Sequence, residues 1–344
     1  MTQYPSLRRN FGKMNILRWL LSTQLKPSQK QNKNSGFTLI ELLVAMILAF
    51  LVITPLLGFM ISVLNTDGQE QAKANSEQEI KAALDYITRD LQQALYIYDD
   101  VGIAAINSQI RPVTDGVPIL VFWKREFTKD AVETKNAANV VQFKDDSFVY
   151  SLVAYYLIKD TNFNNNNWSQ AARIARWQIK DGVANTSGKT DCPGFTTEKY
   201  SLCPDKGFKA FDLSKKGKTL EQKMNSWTNS LAGDTYNQVP VVLVDFIDQT
   251  EITQETPTAT AAVTCSTGFR QVPAAANLVR RGFYACVDSS DGNNRSAAEV
   301  YLRGNAQARL IQNDESKIRY ADNKSSYFPS GNIKVQGSSF IFSK

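Results

Sequence analysis

The sequence predicts an α+β protein in which a long N-terminal helix, first apolar and then amphipathic, packs on an antiparallel β-sheet head. Three observations predict it. The 28 residues from Phe37 to Leu64 carry one charge, Glu41, near their start. Beyond Asn65 the composition turns polar, yet Ile80, Leu84, Ile87, Leu91 and Leu95 recur at steps of four, three, four and four, the spacing of one helix face. From Pro118 onward, runs of β-branched and aromatic residues alternate with stretches rich in asparagine, glycine and threonine, the pattern of strands and turns.

Residues 1–36 precede the apolar run and hold seven basic side chains and no acidic one. Pro5, Pro27 and a short apolar patch from Ile16 to Leu21 give this leader no sustained period. A positive flank keeps its end of a membrane span in the cytoplasm, so the rest of the chain is expected on the far side. At about 1.5 Å per residue, segment 37–64 is long enough to cross a hydrocarbon core of roughly 30 Å. Pro55 and Gly58 are expected to bend or loosen this helix without ending it, as membrane helices tolerate both.

A secretory signal peptide explains the segment poorly. It needs a small-residue cleavage site after the apolar run, and Ile61-Ser62-Val63-Leu64-Asn65 offers none. A plain signal anchor accounts for length and flank but not for a carboxylate inside the run, where an unpaired charge is costly. Cleavage after Gly36 would give Phe37 a free amine, charged near neutral pH. Glu41, one turn further on, could neutralise that amine in its own chain or in a neighbour's.

Residues 65–98 are expected to continue the helix to about Tyr96, so that Phe37 to Tyr96, 60 residues, would span about 90 Å if unbroken. Residues 99–344 form the head. Its expected strands are Pro118–Trp123, Ser147–Lys159, Arg173–Ile179, Val239–Ile247, Arg281–Asp288, Ala298–Arg303 and Ile333–Phe342. Turn-rich connections lie at Thr161–Asn167, Asp181–Gly194 and Thr250–Gln271. An insert, Asp205–Asn237, holds a short helix near Leu220–Trp227. No repeat or internal boundary is visible, and the head reads as one α+β domain.

The formal charge of +6 is misleading. Removing the leader leaves 32 basic against 33 acidic side chains, since seven of the 39 basic ones go with it. A near-neutral mature chain gives no general argument for nucleic-acid binding. There is no histidine, which removes the commonest general base and metal ligand. Cys192, Cys203, Cys265 and Cys286 all lie beyond the span and lack the short arms of a zinc site. In an oxidising compartment they read as two disulfides. Three pairings are open, and the sequence-local one, Cys192–Cys203 with Cys265–Cys286, is preferred.

Other candidates are weaker. Asp288-Ser289-Ser290-Asp291-Gly292 offers oxygen ligands for calcium through Asp288 and Asp291. It lacks the spacing and final glutamate of an EF-hand loop, and a polar turn explains it as well. Asp160 with Asn162, Asn164 and Asn166 is weaker still. Lys206, Lys209, Lys215, Lys216, Lys218 and Lys223, with Phe208, Phe211 and Trp227 nearby, could hold an anionic chain, but a solvated loop with buried aromatics accounts for them. Trp123, Trp168, Trp177, Tyr155 and Tyr156 invite a carbohydrate story, though on strands such residues are usually core. No nucleophile–base pair, phosphate loop or cofactor motif appears. Asp245 and Asp248 are simply close in a strand-like run, and a polymer-cleaving enzyme would require two head carboxylates that converge in a cleft.

Gly36-Phe37-Thr38-Leu39-Ile40-Glu41-Leu42-Leu43 resembles the class III signal of type IV pilins and type II secretion pseudopilins. The resemblance covers the leader and about thirty residues beyond it. It implies a prepilin peptidase that cuts after Gly36 and methylates Phe37, pairing of Glu41 with a neighbouring subunit's terminus, and packing of helices into a filament on an inner-membrane assembly platform. The order of elements is similar to the PilW-like and J-type pseudopilin group. A narrower resemblance, to cyanobacterial hormogonium polysaccharide secretion pseudopilins, runs through Val121–Phe127, Ser147–Leu157 and Ala298–Asn305. It implies a part in polysaccharide export and gliding. A minor pilin for twitching or DNA uptake, and a protein-secretion pseudopilin, are the alternatives.

Overall fold

The computed structural model describes residues 38–138, 140–161, 167–189, 192, 195, 199–214, 218–289, 296–311 and 314–337. Two compact units are formed, Met1–Ser62 and Val63–Lys344. Helix α1, Leu39–Gln92, contributes its apolar half to the first unit and its amphipathic half to the second.

In the second unit the expected stripe is buried: Ile80, Ala83, Leu84, Ile87 and Leu91 enter the hydrophobic core. The helix stops at Gln92, short of the expected Tyr96, and Ala94–Ile97 becomes strand β1. Leu95 fits the helical period and is buried, but Tyr96 and Ile97 pair with Trp123 and Phe122 of the next strand. Four consecutive buried residues need protein packed on both faces of the strand, and the pairing with β2 overrides the local period.

Helix α2, Asp100–Ile106, is capped by the Asp99 side chain, which accepts from the Gly102 amide. Strands β2 (Gly116–Lys135), β3 (Val141–Ile158), β4 (Ala172–Lys180) and β7 (Val241–Ile247) join β1 in a five-stranded antiparallel sheet of order β1-β2-β3-β4-β7. The β2–β3 hairpin is longer than its apolar runs suggested, because its outer half alternates charged with apolar residues. Between β4 and β7 lie β5 (Val183–Lys189) and β6 (Tyr200–Leu202), a two-stranded sheet in a stretch read as turns, and α3 (Leu220–Asn225), with a Thr219–Gln222 capping box. A second antiparallel sheet, β11-β10-β9-β8, is built from β8 (Phe269–Val272), β9 (Phe283–Asp288), β10 (Ala297–Arg303) and β11 (Ser330–Gln336).

The five-stranded sheet is covered on both faces. Trp123 and Trp177 point into the 205–238 insert, where Trp123 makes edge contacts with Phe208, Phe211 and Trp227, and Trp177 with Tyr236. The opposite face takes α1. The second sheet supports the same helix, for a Cβ on Gly331 of β11 would lie 2.7 Å from Leu84 Cδ1 and force that side chain to shift.

One carboxylate on α1 reaches across three strands. Asp90, 7% exposed, accepts from Lys124 Nζ on β2 at 3.0 Å, Tyr155 Oη on β3 at 2.7 Å and Arg176 Nε on β4 at 2.6 Å. Glu126, beside it, takes Gln178 at 2.7 Å and an ion pair from Lys180. A second cluster joins the sheets: Asp248, after β7, accepts from Arg303 Nε of β10 at 2.6 Å and Thr250 Oγ1 at 2.6 Å, while Glu255 pairs with the same arginine. The structure links Cys192 to Cys203 and Cys265 to Cys286, the sequence-local pairing. The second bond fastens the 250–271 connection to β9.

Two expectations follow for the detergent-solubilised chain. Burial alone would raise the Asp90 carboxyl, but the hydrogen bond and charge of Arg176, with the charge of Lys124, outweigh it and hold it below the usual carboxylate range. A depressed folded value stabilises above the unfolded value, near 3.9, and that stability is lost as pH falls through the folded one. Unfolding followed by denaturant should therefore show stability declining below about pH 4. Asp90→Leu should cost roughly 3–5 kcal/mol at pH 7, because Lys124 and Arg176 lose their buried counter-charge. Replacing Cys265 and Cys286 together by serine should cost about 3 kcal/mol in the same assay, the loop-closure value for a link of this span.

Candidate functional site

The apolar half of α1 is the one helix among the described residues long and apolar enough to cross a membrane, and no part of its apolar window is buried by protein. Large side chains such as Leu39, Phe50, Leu51 and Phe59 are two-thirds or more exposed. Pro55 cannot donate to the carbonyl one turn back, yet the helix continues through it, with the Thr54 hydroxyl donating to the Phe50 carbonyl at 2.8 Å. The surface is stable only against lipid or other helices.

Glu41 sits in the first turn of this helix. Its carboxylate accepts from the Thr38 amide at 3.2 Å and the Thr38 hydroxyl at 3.1 Å, while the Glu41 amide donates to Thr38 Oγ1 at 3.3 Å. Thr38 and Glu41 thus stand as N-cap and third residue of a capping box, which satisfies helix-end donors that lipid could not. The positive end of the helix dipole adds to the preference for a carboxylate there. Within one chain, then, Glu41 is not an unpaired charge. Thr-x-x-Glu before an apolar run is legible in the sequence, and Thr38 is the site residue that the charge-based reading passed over. Gly36 and Phe37 lie outside the described residues.

The weaker candidates resolve as scaffold where they are described. Asp288 ends β9 and Asp291 lies outside the described residues, among which no group of three or more metal-ligating side chains comes together. Asp160 is held by both terminal nitrogens of Arg173, at 2.6 and 2.8 Å; Asn162, Asn164 and Asn166 lie outside the described residues. Lys206 pairs with Asp234 at 2.5 Å, Lys223 is buried, and Lys215 and Lys216 are not described. Phe208 and Trp227 are buried against Trp123, and Trp177, Tyr155 and Tyr156 are core; Trp168 stays half exposed beneath Arg173. Asp245 is spent on the amide and hydroxyl of Ser169, whereas Asp248 faces Arg303, so the two carboxylates serve different contacts.

Residues 31–57 match the family described as the prokaryotic N-terminal methylation motif. The motif supports a type IV pilin-like or pseudopilin-like protein. Its span brackets Gly36, Phe37, Thr38 and Glu41, the groups that the helix start brings together in sequence. No curated protein and no solved structure matches the chain. The motif implies processing by a prepilin peptidase and assembly with other pilins. With the apolar helix it also indicates a single-pass, membrane-anchored protein.

Proposed function

We propose that the chain is a low-copy structural subunit of a type IV pilus-like or type II secretion-like filament, cleaved after Gly36 and assembled through its apolar helix. The observation that carries this reading is the methylation motif on a helix whose apolar half no protein covers. In this reading the leader stays in the cytoplasm, the head folds in the periplasm where its disulfides form, and no chemical turnover is involved. A head of about 240 residues, built on two large sheets and a small two-stranded one, suits a tip or priming position better than a closely stacked shaft.

The cargo we favour is polysaccharide, with a role in gliding. Support comes from the resemblance to the hormogonium secretion pseudopilins at Val121–Phe127, Ser147–Leu157 and Ala298–Asn305. These stretches fall on β2, β3 and β10 and their ends, so they speak for a shared scaffold more than for a shared ligand.

Processing is tested by Gly36→Asp, which should leave the full-length precursor in the membrane. Amino-terminal sequencing of the wild type should begin at Phe37, and any other mature terminus would overturn the cleavage reading. Assembly is tested by Glu41→Gln, which keeps a side chain able to close the capping box while removing its charge. The variant should be cleaved and membrane-bound at wild-type level, yet fail to copurify with partner subunits, because a neighbour's charged Phe37 amine would lose its counter-ion. Full complementation of a deletion by Glu41→Gln would show that capping is all this residue does.

A further inference from the structure

The outer face of the four-stranded sheet carries a concavity of about 460 Å³, within the range of small-ligand sites. Its floor is a row of paired positions crossing three strands: Tyr284 on β9, Tyr301 on β10 and Asn332 on β11. The two tyrosine rings stack, with centroids 4.7 Å apart and planes 6° from parallel. Ser330, one row along, and Ser325 complete a polar rim, and Arg281 stands at the edge.

About half of the polar side chains in this lining are spent on the protein itself, as where Tyr301 donates to Glu299 and Tyr320 to Asp322, and the others are open. Among the described residues, no partner is present for the Tyr284 hydroxyl or for the side chains of Asn332, Ser325 and Ser330. Burial raises the Tyr284 phenol, against the opposing pull of Arg281 and Arg303, so it is a donor at neutral pH. The two arginines in the pocket differ. Arg303 is neutralised by Asp248 and Glu255. Among the described residues Arg281 meets no carboxylate: its bonds go to the carbonyl and hydroxyl of Thr260, and its buried Nε has no acceptor.

We propose that this concavity binds an acidic saccharide, a uronate-bearing segment of a glycan. Tyrosine rings supply apolar surface for the C–H faces of a pyranose. Asn332, Ser325, Ser330 and the Tyr284 hydroxyl match vicinal hydroxyls, which both donate and accept. Arg281 supplies the one cation without a protein counter-ion, and a carboxylate is its natural partner. A nucleic-acid strand fits less well, since a backbone tract needs several such cations in series. The inference takes its biological sense from the polysaccharide reading above, but binding is tested apart from it.

The test is calorimetric titration of the full chain in detergent with a galacturonate hexamer, with maltohexaose and hexaglutamate in parallel. The galacturonate hexamer should bind, maltohexaose more weakly, and hexaglutamate not at all. Arg281→Gln should weaken galacturonate binding by about tenfold or more, and Tyr284→Phe, which keeps the ring stack, by about two- to tenfold. Asn332→Ala serves as a third variant that removes no core contact. Each variant should still be processed and copurify with partner subunits, and Glu41→Gln should still bind sugar, which separates this inference from the filament reading. Absence of galacturonate binding overturns the proposal, as do equal binding of hexaglutamate and unchanged affinity in well-folded variants. Equal affinity for maltohexaose removes its acidic specificity.

Discussion

Asp90 sets where the amphipathic half of α1 lies on its sheet. The apolar stripe from Ile80 to Leu91 supplies driving force, but burial is non-directional, and a stripe of Ile, Leu and Ala could slide or rotate on a surface of Val, Leu and Phe. A buried carboxylate with three partners on three different strands cannot slide. Moved by one helical turn, it would leave the Arg176 guanidinium without its carboxylate partner and Lys124 with Glu126 alone, a cost of several kcal/mol. Gly331 and Gly304 favour the same seat sterically, since an added Cβ would press on Leu84 at the first and lie close against Ile80 at the second. Register is therefore specified by charge on one sheet and by the absence of side chains on the other.

That specification matters because the two halves of one helix answer to different solvents. From Leu39 to Leu64 the helix has no protein around it, and its chemistry is concentrated in the first turn. Glu41 has two demands on it there. The capping box occupies its oxygens within the chain, and a processed Phe37 amine would place a cation beside the same helix end, against the dipole. The intrachain bonds are ordinary in length and made to neutral donors. A charge-assisted bond to an ammonium is roughly twice as strong. On the assembly proposed above, the cap would hold the carboxylate in place in the lone subunit, and a neighbour's ammonium would outcompete it once helices pack.

Much of this was legible in the sequence, and unevenly so. The apolar span, the amphipathic stripe and the cores of seven strands stand out because periodicity reports directly on which face is buried. Ala94–Ile97 was misread because Leu95 satisfies both the helical period and a fully buried strand, and only the pairing with Phe122 and Trp123 decides between them. β5 was missed because Val183–Lys189 holds small polar residues whose order depends on β6 and a disulfide, which are contacts no local pattern encodes. At the helix start, Glu41 was found by its oddness as a charge, while Thr38 went unnoticed because threonine in an apolar run looks unremarkable until the carboxylate three residues on is read with it. Asp90 was invisible for a related reason: on a polar helix surface, one aspartate among many carries no mark of burial until its partners on β2, β3 and β4 are known.

The distribution of charged groups finally bears on what kind of protein this is. In an enzyme, perturbed ionisable groups gather in a cleft with reach to a substrate. Here Asp90, Glu126 and Asp248 are shifted by burial and by fixed cations; Asp90 joins helix to sheet, Glu126 ties strands of one sheet together, and Asp248 joins one sheet to the other. Their hydrogen bonds are filled by the protein itself, leaving none to be exchanged with a reacting group. Polar capacity left open is found instead around Tyr284, Asn332 and Arg281, where it is suited to holding a ligand. On the filament function proposed above, a head that spends its buried charges on rigidity and keeps open donors for recognition would suit a subunit positioned by its helix and able to hold a ligand.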